Sequence, residues 1–308
     1  MKSGRAQMYA DSTIANDNRT PRPRGEGPAA RQAAGWKVAA GVAMGAAAAG
    51  LLYRRYAKAP MHEHEVAYTP LDTPKSVAEG VWVVDGAPIA AMGLTLPVRM
   101  TVVRLANGDL LLHSPTHYTP ALAKTLEVLG KIRHLVAPNI AHWTFLKPWQ
   151  DAYPDAVTWA VPGLRDREQV RASGVRLDRD LGDTPPAEWS GEMEQGIISG
   201  AAGFQEAYFF HKPSRTLLLV DLVENLQRDK LPPLTRLVMG AAGATNGTTA
   251  RYLRVLIRWS REEAADKIRG LIALDPERVI VAHGAIFTER GGDHLRHAFA
   301  WLLGRPRK

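Results

Sequence analysis

The chain has 308 residues and contains no cysteine. Disulfides, thiolate zinc sites and cysteine nucleophiles are therefore excluded, although the absence of cysteine does not choose a cellular compartment. Aromatic residues make up only 7% of the chain, and its eight tryptophans are scattered along it. This distribution fits core packing and a cleft lining better than a platform on which nucleic-acid bases stack.

Net charge is also scarce outside the N-terminal segment. The formal charge is +8, but residues 1–58 hold ten Lys or Arg and three Asp or Glu, which makes that segment +7. The remaining 250 residues therefore carry about +1. Because the folded part is nearly neutral, it lacks the basic footprint of a nucleic-acid binder, and we predict no nucleic-acid partner.

The sequence contains no long, strongly apolar run. Residues 38–53 form an uncharged run of 16 residues rich in Ala and Gly, whereas a membrane-spanning helix usually needs about 20. Three interpretations stay open for this run: a marginal membrane anchor, a signal-peptide-like region, or a soluble extension. Localisation is accordingly predicted as membrane-anchored or cytoplasmic.

The composition divides the chain into three parts. Residues 1–35 are rich in Arg, Gly, Ala and Pro and are predicted to be a disordered basic tail. Residues 36–58 are the candidate membrane-anchor helix with its basic flank. Residues 66–305 are predicted to be one folded domain.

Within that domain the pattern is typical of an α/β protein. Residues 98–113 predict a hairpin with Asn107-Gly108 in its turn, and residues 207–220 predict a second hairpin. Strands are predicted at 81–84, 134–137, 157–161 and 279–282, with helices between them, and residues 231–249 are predicted to be a loop or a short helical insertion. Two sheets sandwiched by helices are the expected result.

Two apolar strands end in side chains that can bind a metal. Residues 217–220 run into Asp221, and residues 279–282 run into His283. Buried strands present functional groups where they stop, because the loop there meets solvent. Such groups bind a metal, move a proton, or simply cap the strand.

Several motifs resemble one family, namely residues 99–105, residues 112–115, residues 135–139 followed by His142, and residues 220–222. They resemble the DUF4336 family of proteins with a metallo-β-lactamase-like fold, and the resemblance covers about residues 66–305. It implies a four-layer αββα sandwich whose strand ends hold one or two metal ions. The wider superfamily includes hydrolases of lactams, thioesters and phosphodiesters, and also oxidoreductases.

The resemblance also implies a reduced set of metal ligands. With His142 at the last place of the superfamily's His-x-His-x-Asp-His signature, Ala137, Asn139 and Ala141 fall where other ligands are expected. Residues 196–203 contain no histidine. The ligands that remain are His142, Asp221 and His283, which suit one Zn²⁺ or Fe²⁺ ion. The alternative is that they hold no metal at all.

Other residues near these positions have structural as well as functional interpretations. Asn139 is expected to cap the turn before His142 rather than to bind metal. The superfamily often has an acidic residue near the position of His113 that orients metal ligands, so the resemblance implies this role as one interpretation of His113. His117 is predicted to line the cleft. Ser114 lacks the flanking glycines of a nucleophile elbow, which disfavours a serine hydrolase.

The predicted function is a metal-dependent hydrolase of ester, thioester or phosphoester type, with a reduced, mononuclear site and a small-molecule substrate. A metal ion at this site would make water a competent nucleophile near neutral pH. The alternative is a non-catalytic scaffold of the same fold that binds a metabolite or a partner protein. A redox site using iron is a third interpretation, because the ligand types do not separate iron from zinc.

Overall fold

Two β-sheets and their flanking helices form the fold, in a computed structural model that describes residues 63–304. The strands are β1 (Lys75–Ala78), β2 (Val81–Ala91), β3 (Leu94–Arg104), β4 (Asp109–His113), β5 (Lys131–Ala137), β6 (Val157–Ala160), β7 (Arg179–Asp180), β8 (Met193–Ser199), β9 (Gln205–His211), β10 (Thr216–Leu218) and β11 (Arg278–Ile280). The helices are α1 (Glu63–Val66), α2 (Pro120–Glu127), α3 (Leu146–Ala152), α4 (Glu168–Ser173), α5 (Pro233–Ala242), α6 (Arg251–Ile257), α7 (Arg261–Ala273), α8 (Gly291–Ala298) and α9 (Ala300–Leu303).

The two sheets have different sizes and mixed strand directions. The large sheet has seven strands in the order β1 to β7, antiparallel from β1 to β4 and parallel from β4 to β7. The small sheet has the order β11-β10-β9-β8, in which β10 and β11 are parallel. An isolated bridge between Asn139 and Glu206 joins the end of β5 to β9, so the two sheets are tied together at that edge.

Alternation along the strands buries both faces of the small sheet. Phe209 and Leu218 belong to a buried cluster shared with Met100 and other side chains of the large sheet. Their neighbours Phe210 and Leu217 belong to a second cluster, which includes buried side chains of α7, α8 and α9. Because successive side chains of a strand point to opposite faces, one face meets the other sheet and the other face meets helices.

Local signals in the sequence account for several element boundaries. Gly108 has a φ of +86°, and Asn107 Oδ1 accepts the backbone N–H of Asp109, so the Asn-Gly turn of the first hairpin is confirmed. Thr119 Oγ1 accepts the backbone N–H of Leu122 and caps α2 at the predicted position.

Most of the predicted elements are confirmed, including both hairpins and the strands that lead to the candidate site. One strand, β8, is absent from the prediction. The ten-residue helix α5 is the short helical insertion that was one of the two expectations for residues 231–249. His142 lies in the turn before α3, which begins at Leu146.

The predicted basic tail (1–35) and the candidate anchor segment (36–58, with its apolar run at 38–53) lie outside the described residues. Within residues 63–304, none of the helices combines the length and apolarity needed to cross a bilayer.

Candidate metal centre

Side chains from three separate strand ends converge at one edge of the sheets. His142 follows β5, Asp221 follows β10, and His283 follows β11. One ligand atom from each of the three lies within 4.8 Å of the others. The Nε2 atoms of both imidazoles lie 3.2 Å from Asp221 Oδ1. These strands all belong to parallel pairs, and functional groups collect where the carboxyl ends of such strands open to a loop.

Asn139 holds the turn that presents His142. Its Oδ1 accepts the backbone N–H groups of Ala141 (2.8 Å) and His142 (3.0 Å). Its Nδ2 donates to Asp221 Oδ2 at 2.6 Å. A side-chain amide does both because its oxygen accepts while its nitrogen donates. Asn139 therefore caps the turn and also occupies the second oxygen of Asp221.

The turn at His283 is fixed by backbone contacts on both sides. His283 Nδ1 lies 2.7 Å from the carbonyl oxygen of Pro97, which can only accept, so Nδ1 carries the hydrogen and Nε2 faces Asp221. The backbone N–H of Asn225 donates to the His283 carbonyl at 3.1 Å. This is the arrangement that orients a metal-binding imidazole in proteins.

Arg99 supports the same turn from β3. Its Nη1 donates to the carbonyls of Val281 (3.0 Å) and Gly284 (2.5 Å), and its Nη2 pairs with Asp85 at 2.8 Å. Both side chains of this ion pair are buried. A guanidinium is suited to this place because its rigid fork donates in several directions at once.

Tyr68, near the start of the described chain, packs against this support. Its ring centroid lies 5.1 Å from Arg99 Cζ and 5.0 Å from Lys230 Nζ. The Tyr68 carbonyl accepts a hydrogen bond from Lys75, which is also paired with Asp85. Tyr68 is thus tied to the residues that hold His283.

Ser114, rather than His113, contacts a candidate ligand. Ser114 Oγ lies 2.6 Å from His142 Nδ1. His113 is buried with its ring edge-on to Phe209 at 5.3 Å, and its Nε2 has no hydrogen-bond partner among the described residues. Burial first, and then the nearby charge of His142, lower the pKa of His113 to about 3.

Glu206 holds the loop that carries Asp221. Its buried carboxylate accepts the backbone N–H groups of Val220 (2.8 Å), Asp221 (2.9 Å) and Leu222 (3.0 Å). Burial and the charge of Asp221 raise the pKa of Glu206 to about 8, although the three backbone hydrogen bonds act to lower it. Glu206 therefore determines where the Asp221 backbone lies.

Burial and the neighbouring charges shift the pKa values of Asp221 and His283 in opposite directions. Burial acts to raise the pKa of Asp221, but the His142 and His283 imidazoles outweigh it and hold that pKa well below its usual range. Burial acts to lower the pKa of His283, but Asp221 and the charge of Glu224 raise it to about 9. Without a metal, His283 is therefore an imidazolium paired with the Asp221 carboxylate at neutral pH.

Glu224 is a further buried acid near this pair. Its Oε1 accepts the hydroxyl of Tyr252 at 2.6 Å, whereas its Oε2 has no hydrogen-bond partner among the described residues. Burial and the charge of Asp221 raise the pKa of Glu224 to about 7.

A cavity of about 70 Å³ adjoins the group. Its lining includes Ser114, Thr116, His142 and His283. His117 stands outside this lining, with its ring 4.4 Å from that of Phe145, which does line the cavity. A larger cavity of about 600 Å³ lies at the opposite end of the sheet, beside the first residue of β5 and the turn before β4. It holds none of the predicted site residues.

Solved structures of one class share this two-sheet fold with helices around it. A metallo-β-lactamase from Pontibacter korlensis matches with a TM-score of 0.52 at 13% sequence identity, over 76% of this chain and 99% of that one. TMB-1 matches with a TM-score of 0.51 at 14% identity, over 75% of this chain and 96% of that one. VMB-1 matches with a TM-score of 0.52 at 12% identity, again over 75% and 96%. At these identities the likeness shows the metallo-β-lactamase fold alone.

The family model of DUF4336, described as a domain of unknown function, matches residues 78–267. The chain belongs to this family, and the predicted resemblance is confirmed. No curated protein matches the chain.

Three supporting residues were missed at the level of sequence. Arg99 and Ser114 both lie in motifs that carry the family resemblance, which was the signal available for them. Glu206 had no such signal, because its partners are 14 to 16 residues further along the chain. The site residues predicted from sequence fall into two groups. His142, Asp221, His283 and Asn139 come together, whereas His113 and His117 lie beside them without a hydrogen bond to that group among the described residues.

Proposed function

We propose that the protein is a metal-dependent hydrolase of ester, thioester or phosphoester bonds, with one divalent metal held by His142, Asp221 and His283. The observation that carries this proposal is the approach of both Nε2 atoms to Asp221 Oδ1 at 3.2 Å. Ligands at the 2.0–2.2 Å distances of zinc lie about 3.4 Å apart in a tetrahedral site. The distances from the two imidazoles to Asp221 Oδ1 therefore fit a single small ion.

The surroundings of the donors also fit a metal. The Nδ1 atom of each imidazole has a hydrogen-bond partner. The partner of His142 is the Ser114 hydroxyl, and that of His283 is the Pro97 carbonyl. Metal-binding histidines generally have such a partner, which fixes the ring and its tautomer. When bound, a metal of this kind supplies a Lewis acid for a carbonyl or phosphoryl oxygen and lowers the pKa of water.

The proposal is limited to one metal because the positions expected to supply ligands for a second metal hold residues that do not bind one. Ala137 and Ala141 offer no ligand atom, and the Asn139 amide donates to Asp221 Oδ2. If Asp221 bridged two metals, this hydrogen bond would compete with the second one for Oδ2. A two-metal clamp on attacking and leaving oxygens is therefore not expected, and we expect a narrower substrate range than that of a two-metal enzyme.

Neighbouring residues of the protein position the two ligands Asp221 and His283. Asn139 holds the Asp221 carboxylate, and Glu206 holds the Asp221 backbone. Arg99 holds the His283 turn through the carbonyls of Val281 and Gly284. The side chain of Asp221 is 19% exposed, so the group is reached from solvent on one side. A small-molecule substrate would approach from this side.

Metal analysis of the purified full chain tests the proposal. After supplementation with zinc or iron, we expect close to one equivalent of metal in the wild type and a large loss in His283→Ala. His297→Ala is the matched control, because His297 is an exposed histidine on α8, and it should retain the metal. Less than about 0.1 equivalent in the wild type, unchanged by His283→Ala, would contradict a metal-dependent activity.

A second candidate is a non-catalytic scaffold that binds a metabolite or partner protein. It is favoured by the hydrogen bond from Asn139 to Asp221 and by the ion pairs of Asp221 with His142 and His283, since these side chains satisfy the carboxylate within the protein. In that case a metabolite would raise the melting temperature equally with and without a chelator. A chelator-sensitive shift would instead support the metal site.

A further inference from the structure

Ser114, His142 and Asp221 form a continuous hydrogen-bonded relay. Ser114 Oγ lies 2.6 Å from His142 Nδ1, and His142 Nε2 lies 3.2 Å from Asp221 Oδ1. A carboxylate can only accept, so the hydrogen of His142 lies on Nε2 and its Nδ1 accepts the serine hydroxyl. This is the order of groups in enzymes with a serine nucleophile: hydroxyl, imidazole base, orienting carboxylate.

The backbone presents Ser114 in a conformation that is rare for a residue with a side chain. Ser114 follows the last residue of β4 directly, with a φ of +56°. Its N–H donates to the Val136 carbonyl at 3.0 Å, which fixes the residue at the strand end. Left-handed backbone at a non-glycine residue concentrates at active sites, where the surrounding structure holds it. The turn that flanking glycines usually permit is thus formed here without them.

A small cavity with a mostly apolar lining lies beside the hydroxyl. Ser114, Thr116, His142 and Thr144 are among its lining residues, and its volume is about 70 Å³. Thr116 also lines this cavity, and its Oγ1 is buried with no hydrogen-bond partner among the described residues, which makes it the candidate donor to a developing oxyanion. In many serine hydrolases the backbone N–H of the residue after the serine binds the oxyanion. Here that residue is Pro115, which has no N–H, so a side-chain hydroxyl would have to bind the oxyanion instead. The volume suits a short acyl group.

We propose that Ser114 is a nucleophile toward short-chain acyl esters or thioesters. This activity goes beyond the proposed metal-dependent hydrolysis but uses the same His142. Ser114 Oγ forms a bond to the carbonyl carbon while its proton moves to His142 Nδ1. The bond to the leaving group then breaks, the leaving oxygen or sulfur takes that proton, and water releases the acid by the reverse sequence.

The two activities exclude each other at His142. In the relay, His142 Nε2 donates a hydrogen bond to Asp221. In the metal site, the lone pair of the same nitrogen would bind the metal. A metal on Nε2 leaves the hydrogen on Nδ1, which then donates to Ser114 Oγ and no longer accepts its proton. Occupancy of the metal site therefore switches the serine off.

Acylation of the full chain by p-nitrophenyl acetate tests the proposal. The chelator-treated protein is quenched in acid, and peptide mass spectrometry locates the acetyl group. We expect acetyl on Ser114 in the wild type and none at that position in Ser114→Ala. His142→Gln should slow acylation by about a hundredfold or more, because the base is lost.

Ser214→Ala is the matched control. Ser214 Oγ also contacts a histidine, at 2.7 Å from His211 Nδ1, but it lies in the turn between β9 and β10. Acetylation of Ser114 should be unchanged in this variant. Thermal melting and circular dichroism of every variant exclude loss of fold as the cause of a missing adduct.

Zinc binding, measured by equilibrium dialysis on the same samples, separates this proposal from the metal-dependent function. Zinc binding without Ser114 acetylation in the apo protein overturns the nucleophile and leaves the metal site standing. Acetylation of Ser114 without zinc binding supports the nucleophile and overturns the metal site. Acetylation that persists at saturating zinc overturns the exclusion at His142.

Discussion

At the scale of single residues, Gly284 is the tightest point beside the candidate ligands. Its φ is +106°, and a Cβ at this position would overlap the carbonyl group of Asn225. The same carbonyl accepts the N–H of Ala285 at 2.9 Å. A side chain at residue 284 would therefore push apart the turn that carries His283.

We expect Gly284→Ala to lower the free energy of unfolding by roughly 2–4 kcal/mol, through backbone strain and a lost turn contact. Gly270→Ala is the control, because Gly270 lies within α7 and its added methyl would meet open space. That substitution should stabilise the protein by about 0.5–1 kcal/mol. Urea denaturation measures both, and equal effects would refute the role of residue 284.

The buried imidazole of His113 predicts how stability depends on pH. Its pKa is about 3 in the folded protein, because burial disfavours the charged form, and about 6.5 in the unfolded chain. Between these values the unfolded chain binds more protons than the folded one. Stability from this group is therefore complete above pH 6.5 and is lost as the pH falls, by at most about 1.4 kcal/mol per unit.

His113→Leu should flatten the stability curve between about pH 6.5 and pH 4, because a similar apolar volume replaces the group that resists protonation. Urea midpoints measured across this range give the slope. His297→Gln, on the exposed surface of α8, should keep the wild-type slope. A His113→Leu slope equal to the wild type would show that other groups cause the acid sensitivity.

At the scale of elements, Glu206 makes the small sheet part of the site. It lies on β9, bridges to Asn139 at the end of β5, and accepts three consecutive backbone N–H groups after β10. The side chain of Glu206 thus fixes the loop after β10, while its backbone bridge fixes the end of β5. The N–H groups would be left without acceptors if its carboxylate were removed.

Glu206→Gln should lower the free energy of unfolding by about 2–3 kcal/mol, since the new amide group turns a donor toward donors. Glu192→Gln is the matched control, because Glu192 also accepts a backbone N–H, that of Ala106, but at an exposed position. Its effect should stay within about 0.5 kcal/mol. Equal losses in chemical denaturation of the two variants would mean that burial of Glu206 is unimportant.

At the scale of the whole molecule, attachment to a membrane remains a prediction about residues 38–53. If this run is a membrane anchor, the full chain will need detergent for extraction and a chain starting at Met61 will need none. Ala46→Lys with Leu51→Lys, in the full chain, should abolish attachment because charged side chains are costly in a bilayer. If the full chain fractionates as soluble without detergent, the anchor hypothesis is wrong.

The fold was largely predictable because its signals are local. The Asn107-Gly108 turn, the Thr119 cap and the apolar strands were all readable from short windows of sequence. The strand β8 was not, because Gly196 interrupts its pattern. That glycine is there because the Tyr208 hydroxyl occupies the space of its Cβ, which is a contact across the sheet.

The candidate site was predictable in part for a related reason. Strand ends identified Asp221 and His283, and the family resemblance identified His142. The hydrogen bonds from Ser114 to His142 and from Glu206 to the Asp221 loop join different elements. Their existence depends on how the two sheets are placed, which no window of the sequence contains.

The packing of Tyr68 against Arg99 connects the first described residues to the candidate site. The Arg99 guanidinium contacts the Tyr68 ring and also donates to the carbonyls of Val281 and Gly284, which lie on either side of His283. A change at Tyr68 is therefore expected to act on the backbone around His283.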